Sequence, residues 1–410
     1  MRLRNVIAAI AAITVTNQGL AQDDLSTKKL SYALLPEGKT LPAGVARFRL
    51  PYQMASGSTA YDDAGKKSDS PVKFSAKGGA FVAEYGLTDK ISLQWKTDFV
   101  LSQKTEMAGN RAWEKDGYTG AVAKRTDLQA LQALTNVTID SRANFEKAAT
   151  LKALNDLKTG NACTDIATDC VAFLAGNSPT AVATRKGIAD QVAATDALVY
   201  EGVKKEALAE GGRGMGDTIL GVLYEAYDSG GMFVALAGGV RVPTGNRDLS
   251  GTELSTSRSA WEVGARINVD MLPVDWFMIS WQNQSEVGIA GAKHKVDGVS
   301  VETKRDGVRN VGFVYLKPSL EAVAPGLDSL RASVGITYDF DSAQKLTSDG
   351  ETETTPHSSM IWNYASLGYS MLHMGIPLQL DLEHEMPNRG KNAKIAATKT
   401  TVTAKAFMKF

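Results

Sequence analysis

Two kinds of side chain in this 410-residue chain could do chemistry. The first is the small set that supports nucleophilic or metal catalysis: His294, His357, His373 and His384, with the cysteines Cys163 and Cys170. A hydrolase on an extended scaffold needs a serine beside a histidine, and a third polar group to orient the ring. His294 and His357 fall in or beside expected loops and His373 at an expected turn. His384, in Leu382-Glu383-His384-Glu385, shares an apolar face with Leu380, which suits a membrane boundary better than a general base. The sequence holds no HExxH, CxxC, GxSxG or P-loop, so it points to no enzyme, no metal and no cofactor. Cys163 and Cys170 are too widely spaced for a CxxC site and have no histidine nearby; in an exported chain they are expected to close a small disulfide loop.

The second kind is charge placed at every second position. Arg47, Arg49, Lys96, Asp98, Arg241, Glu262, Arg266, Arg331, Asp339, Asp381, Glu383, Lys399 and Lys405 all fall on the polar side of segments whose other side is apolar. Hydrocarbon would not tolerate such a face, so these thirteen are the expected pore-lining residues of a barrel lumen. Both signs are present, and the acidic stripe Asp381, Glu383 and Glu385 should form a ladder of ion pairs with Lys399 and Lys405. Two readings stay open: the charges solvate one another and fill the barrel, or they line a selective, water-filled pore. Rings of a single sign, which phosphate or cation selectivity would call for, are not seen.

The elements that must position these residues are extended strands. Ile91, Leu93, Trp95, Phe99 and Leu101 face one way, and Ser92, Gln94, Lys96 and Asp98 the other. Trp261 to Val269, Leu330 to Phe340 and Leu378 to Leu382 repeat the alternation, and the last stretch carries Val402, Ala404, Ala406, Met408 and Phe410 on one face. Twelve segments result, at roughly 44–55, 72–85, 90–102, 216–228, 232–243, 258–271, 275–288, 306–317, 329–341, 358–371, 376–386 and 394–410; the second, fourth and eighth do not sort into two faces. Tight turns at Leu87-Thr88-Asp89, Ser229-Gly230-Gly231, Leu272-Pro273-Val274 and His373-Met374-Gly375 alternate with longer polar loops at 57–69, 244–256, 289–304 and 342–356. That asymmetry is the signature of an all-β transmembrane barrel, short side in the periplasm. Trp95, Trp261, Trp276, Trp281, Trp362, Tyr85, Tyr315, Tyr369 and Phe410 are read as an aromatic girdle at the membrane interfaces.

Residues 103–213 break the pattern. Ile188, Val192, Thr195, Val199 and Val203, and Ala148, Leu151, Leu154 and Leu157, recur at helical spacing, so this stretch is expected to be a helical insertion in one extracellular loop, either a packed cap or a gate or surface recognition element for an extracellular partner. At the other end, Arg2 and Arg4 precede an apolar run and Gly19-Leu20-Ala21 offers a cleavage site, so residues 1–21 read as a signal peptide. Residues 22–43 are then a periplasmic lead-in or a plug, and 44–102 with 214–410 make the barrel. Lys plus Arg and Asp plus Glu are 45 each, so nothing suggests nucleic acid. No apolar run beyond the signal reaches the ~18 residues of a spanning helix.

Gly214-Met215-Gly216-Asp217-Thr218, then Leu220-Gly221-Val222-Leu223-Tyr224, then Gly239-Val240-Arg241-Val242-Pro243-Thr244-Gly245-Asn246-Arg247-Asp248, with Glu84-Tyr85-Gly86-Leu87-Thr88-Asp89-Lys90, resemble the outer-membrane family associated with meta-pathway phenol degradation, which is akin to the FadL-like hydrocarbon transporters. The resemblance implies passive uptake of small, often hydrophobic or aromatic molecules across the bacterial outer membrane, and a plug from the N-terminal segment. Outer-membrane lipids and a small solute are the expected partners. The rival expectation is a surface interaction or structural protein, the barrel its anchor and the insertion its working part.

Overall fold

A computed structural model describes residues 39–109, 111–207, 209–246, 248, 254–320, 324, 327, 329–348, 351–374 and 376–410. The expected signal peptide and most of the N-terminal segment, residues 1–38, lie outside the described residues, as does Arg247. The chain divides into two compact units: residues up to Ser68 with Phe74–Lys104 and Ala209–Phe410, and Asp69–Lys73 with Thr105–Leu208.

Twelve antiparallel strands make the first unit: β1 (Val45–Tyr61), β2 (Lys67–Thr88), β3 (Ile91–Met107), β4 (Gly214–Asp228), β5 (Met232–Val242), β6 (Ala260–Val274), β7 (Phe277–Val296), β8 (Val308–Pro318), β9 (Leu330–Asp341), β10 (Ser358–Ser370), β11 (Leu378–Lys391) and β12 (Ala393–Lys409). Each pairs with its neighbour in sequence, and β12 pairs back onto β1 from Val45↔Lys409 to Tyr61↔Ala393. The sheet therefore closes and leaves no edge strand in the wall. No helix among the described residues is long and apolar enough to cross a membrane. Side chains alternate across that wall. Leu93, Trp95, Leu220, Val222, Trp261, Val334, Leu367, Leu382 and Val402 are exposed on its outer surface, where lipid makes exposure of an apolar side chain favourable.

The strands that did not sort by sequence have apolar residues on the inside as well. On β8 the inward positions are Val311, Phe313, Tyr315 and Lys317. Ile219 and Gly221 take those places on β4, and Val82 on β2. Period-2 contrast vanishes when both faces are apolar.

Two expectations are corrected. The loops at 57–69 and 289–304 are largely strand, because β1, β2 and β7 are 17, 22 and 20 residues long and run past the ~9–11 residues that a bilayer needs, and the loop at 342–356 holds two short strands of its own. Beyond the wall, the end of β7 pairs with the strand Val299–Asp306, which pairs with Gln344–Ser348, which pairs with Glu351–Thr355, giving a small outlying sheet. The turn expected at 272–274 falls at Asp275 and Trp276 instead.

Among its described residues the second unit holds five α-helices: α1 (Glu114–Lys124), α2 (Thr126–Thr135), α3 (Arg142–Thr159), α4 (Val171–Ala175) and α5 (Pro179–Ala207). Ser141 caps α3 by accepting the Asn144 N–H. Tyr118, Leu128, Leu131, Ile139, Phe145, Ala148, Val192 and Val199 pack into one core. Tyr118 donates to Asp196 at 3.0 Å, and Arg111 and Arg142 lie 3.3 and 3.4 Å from the same carboxylate. Cys163 and Cys170 are disulfide-bonded beside Leu154 and Leu174.

Candidate functional site

The barrel interior contains a cavity of about 600 Å³, and all twelve strands contribute to its lining. Of the thirteen charged residues read from the sequence, Arg49, Lys96, Arg241, Arg266, Arg331, Asp381, Glu383 and Lys405 border it. The other five are held in interior ion pairs. Arg47 meets Glu84 at 2.7 Å, and Asp98 lies 3.0 Å from Lys96 and 3.9 Å from Arg241. Asp339 takes both Arg309 Nε, at 2.9 Å, and Arg309 Nη2. Glu262 lies 2.9 Å from Arg241, and Lys399 lies 2.9 Å from Glu385 and 3.7 Å over the Trp362 ring. On the last strands Lys405 reaches Asp381 at 3.1 Å, and Arg331 pairs with the same carboxylate.

One knot of charge crosses three strands. Arg241 on β5 contacts Glu262 on β6 and Glu286 on β7, at 2.9 and 3.0 Å; Arg258, in the connection before β6, contacts the same two carboxylates at 3.0 and 2.8 Å. Two guanidiniums and two carboxylates thus alternate, so neither acid is left buried beside the other uncompensated. Glu286 and Arg258 were missed in the sequence, although Ser280, Gln282, Gln284 and Glu286 recur at every second position. Arg309 was missed because its strand had no polar face to place it on.

The glycine-aspartate and proline-threonine-glycine motifs that carried the family resemblance meet each other here. Asp217 accepts the N–H of Gly245 at 3.3 Å and of Arg258 at 2.9 Å. Thr218 Oγ1 lies 3.0 Å from both Thr97 Oγ1 and Thr244 Oγ1. Their job is local: they hold the turn after β5 and thereby aim Arg258 at the carboxylates.

Two aromatics assigned to the membrane girdle point inward instead. Tyr315 lines the cavity, where it stacks on Phe313 at 4.1 Å and 8° and on Tyr364 at 3.9 Å and 14°. Trp362 is buried, donating Nε1–H to the Ala397 carbonyl at 3.0 Å. The column exists because Gly335, opposite both tyrosines on the intervening strand, has no side chain. A Cβ there would come within 2.0 Å of the Val314 carbonyl oxygen and 3.0 Å of the Tyr315 Cα, so only glycine lets rings from β8 and β10 meet across β9.

At the short-turn rim, residues 39–44 lie against the inner wall. Leu41 packs with Val45, Leu372 and Phe407, and its N–H donates to Ser92 Oγ at 3.0 Å. Thr40 donates to the Asp89 carbonyl, and Lys39 sits 3.5 Å from Asp228 and over the Phe233 ring. Gly86 makes this fit possible: a Cβ there would be 2.1 Å from the Pro42 carbonyl oxygen. Of the four histidines, His384 Nδ1 meets Thr400 Oγ1 at 3.0 Å and the His294 ring meets the Ala292 carbonyl at 3.3 Å.

The family described as a putative MetA-pathway of phenol degradation matches residues 181–283, the stretch that contains the Asp217 and Pro243-Thr244-Gly245 motifs. No curated protein matches the sequence. Among solved structures, an outer-membrane channel from Pseudomonas putida F1 superposes with a TM-score of 0.53 at 11% identity, over 91% of this chain and 98% of that one. The CymD monoaromatic hydrocarbon channel, with a TM-score of 0.33 at 8% identity, covers 96% of this chain and 98% of its own, and a Pseudomonas aeruginosa FadL homologue, at 0.32 and 8%, covers 96% and 99%. Both are more distant in shape. The chain has the β-barrel fold of the Pseudomonas putida channel, and its residues 181–283 resemble the phenol-degradation family.

Proposed function

We propose that this protein is a channel through which small molecules, aromatic ones among them, cross the outer membrane passively. The observation that carries the reading is the 600 Å³ cavity lined by all twelve strands. A barrel that served only as an anchor would be expected to fill its interior with side chains, as eight-stranded barrels do. Here the charges are paired along the wall, and the volume left over falls in the ~300–1,000 Å³ range of small-molecule sites. The outer-membrane channel that shares the fold, and the family match over 181–283, support the same direction. In this reading the short-turn rim faces the periplasm, and the 39–44 segment narrows the exit. Reconstituted in planar bilayers, the full chain should conduct; a barrel that inserts, remains heat-modifiable and passes no current would overturn the proposal.

A second reading is favoured by one observation. The helical unit has its own core and its own disulfide, more order than a passive loop needs, which suits a surface recognition module. Replacing residues 105–208 by a short linker separates the two. Flux that survives the deletion supports the channel, and loss of a binding partner with no change in flux supports a role for the insertion.

A further inference from the structure

The aromatic column stands in a cavity whose wall is rich in cations. Lysine and arginine side chains outnumber carboxylates there eight to three among the described residues. Lys96, Arg241 and Arg309 among them are paired with Asp98, Glu262 and Asp339, which stand just outside that lining, so a solute entering the cavity meets a smaller surplus that is still positive. Phe313, half-buried, and Tyr364 form the two ends of the column with Tyr315 between them. A planar ring can extend this pile with the same parallel geometry that the three side chains already adopt. Lys317 follows Tyr315 on the same face of β8, and Arg331 enters from β9. Gln282, in register with Phe313 on β7, supplies an amide at the end of the column.

Resting on the reading of the lumen as the route of transport, we propose that this cavity is a binding site for planar aromatic carboxylates, the ring stacked on the Phe313–Tyr315–Tyr364 column and the carboxylate held by the surrounding arginines and lysines. A neutral hydrocarbon would have to displace water from charged groups without offsetting their charge. An aromatic cation would be repelled by the surplus. An aliphatic carboxylate satisfies the cations but leaves the ring faces uncovered. Only a group that is both flat and anionic uses the two halves of the wall, and guanidinium forks are well matched to a carboxylate.

The test uses the full chain, purified in detergent, with four probes: benzoate, cyclohexanecarboxylate, benzyl alcohol and benzylammonium. Calorimetry should show benzoate binding about tenfold more tightly than cyclohexanecarboxylate and benzyl alcohol, with no binding of benzylammonium. In planar bilayers, the reversal potential in a KCl gradient should report anion preference, and benzoate should reduce the current. Phe313→Leu should lower benzoate affinity about tenfold and leave cyclohexanecarboxylate unchanged; should that variant fail to fold, Tyr364→Leu serves the same purpose. Lys317→Gln should weaken both carboxylates. Equal affinity for benzoate and cyclohexanecarboxylate, binding of benzylammonium, or no binding of any probe would overturn the proposal. A barrel that conducts without these preferences refutes the binding site and leaves the channel standing. One that binds benzoate in micelles yet never conducts refutes the channel and leaves the site.

Discussion

The helical unit and the barrel solve opposite problems with the same residue types. In the helical unit Phe145, Tyr118 and Ile139 are almost wholly buried. In the barrel Leu93, Leu220 and Leu382 point outward, while Arg241, Glu262 and Asp381 are turned in. The difference follows from the solvent: water favours apolar burial in the first, and hydrocarbon reverses the sign for the outer wall of the second. Inside the barrel, stability comes from mutual compensation of charge, as in the Arg241, Arg258, Glu262 and Glu286 knot. A substitution should therefore have different consequences in the two units, and that is where the contrast can be broken.

The largest effect is expected at Phe145, which is 0% exposed at the centre of the helical core. Phe145→Ala should destabilise that unit by about 3–5 kcal/mol, read as a lower melting temperature in the helical 222 nm signal while the barrel's heat-modifiable migration is unchanged. Next comes an adjacent pair on β4. Leu220→Arg places a charge in lipid and should cost about 2–4 kcal/mol on urea titration in micelles, whereas Ile219→Arg, on the cavity side, should cost less than about 1 kcal/mol, as lumen substitutions tune selectivity more than stability. Equal costs at the two positions would contradict the facing of this strand. Replacing Cys163 and Cys170 by serine should remove about 2–3 kcal/mol from the helical unit alone, the entropy expected for so short a loop.

The smallest effect is a pH dependence in the helical unit. Burial, aided by the Asp196 carboxylate that accepts its hydrogen bond, pushes the Tyr118 phenol well above its ordinary value. The folded unit therefore keeps this phenol protonated where the unfolded chain ionises, so its contribution is complete below pH ~10 and falls as pH rises past it. The helical melt should drop between pH 9 and 11 (on the order of one unit either side of the free phenol), and Tyr118→Phe should flatten the drop.

Much of this architecture is readable without coordinates wherever a strand separates two solvents. On β3, β6, β9 and β12 polar and apolar positions alternate cleanly, and twelve strands with a helical segment follow from them. The spacing of Val192, Thr195 and Val199 marks a helix face, and all three are buried. What stays hidden in the sequence has physical causes. An aromatic at the bilayer interface and one in the lumen look the same in sequence, so nothing in the pattern marks Tyr315 and Trp362 as inward. Ion pairs that skip a strand, such as Arg241 with Glu286, depend on barrel curvature, which periodicity does not encode. The fit of Pro42 against Gly86 joins elements that are distant in sequence, and a glycine in a turn-rich motif is read first as part of the turn.

Alternate residues of each strand meet a solute-accessible lumen and lipid in turn. Ser333 lines the cavity and its neighbour Val334 is exposed on the outer wall. With the native cysteines joined to each other, single Ser333→Cys and Val334→Cys chains can be compared in planar bilayers while a charged, water-soluble thiosulfonate is added. The current should fall stepwise for the Ser333 variant and not respond for the Val334 variant. A response at Val334, or none at Ser333 in a barrel that conducts, would contradict this alternation.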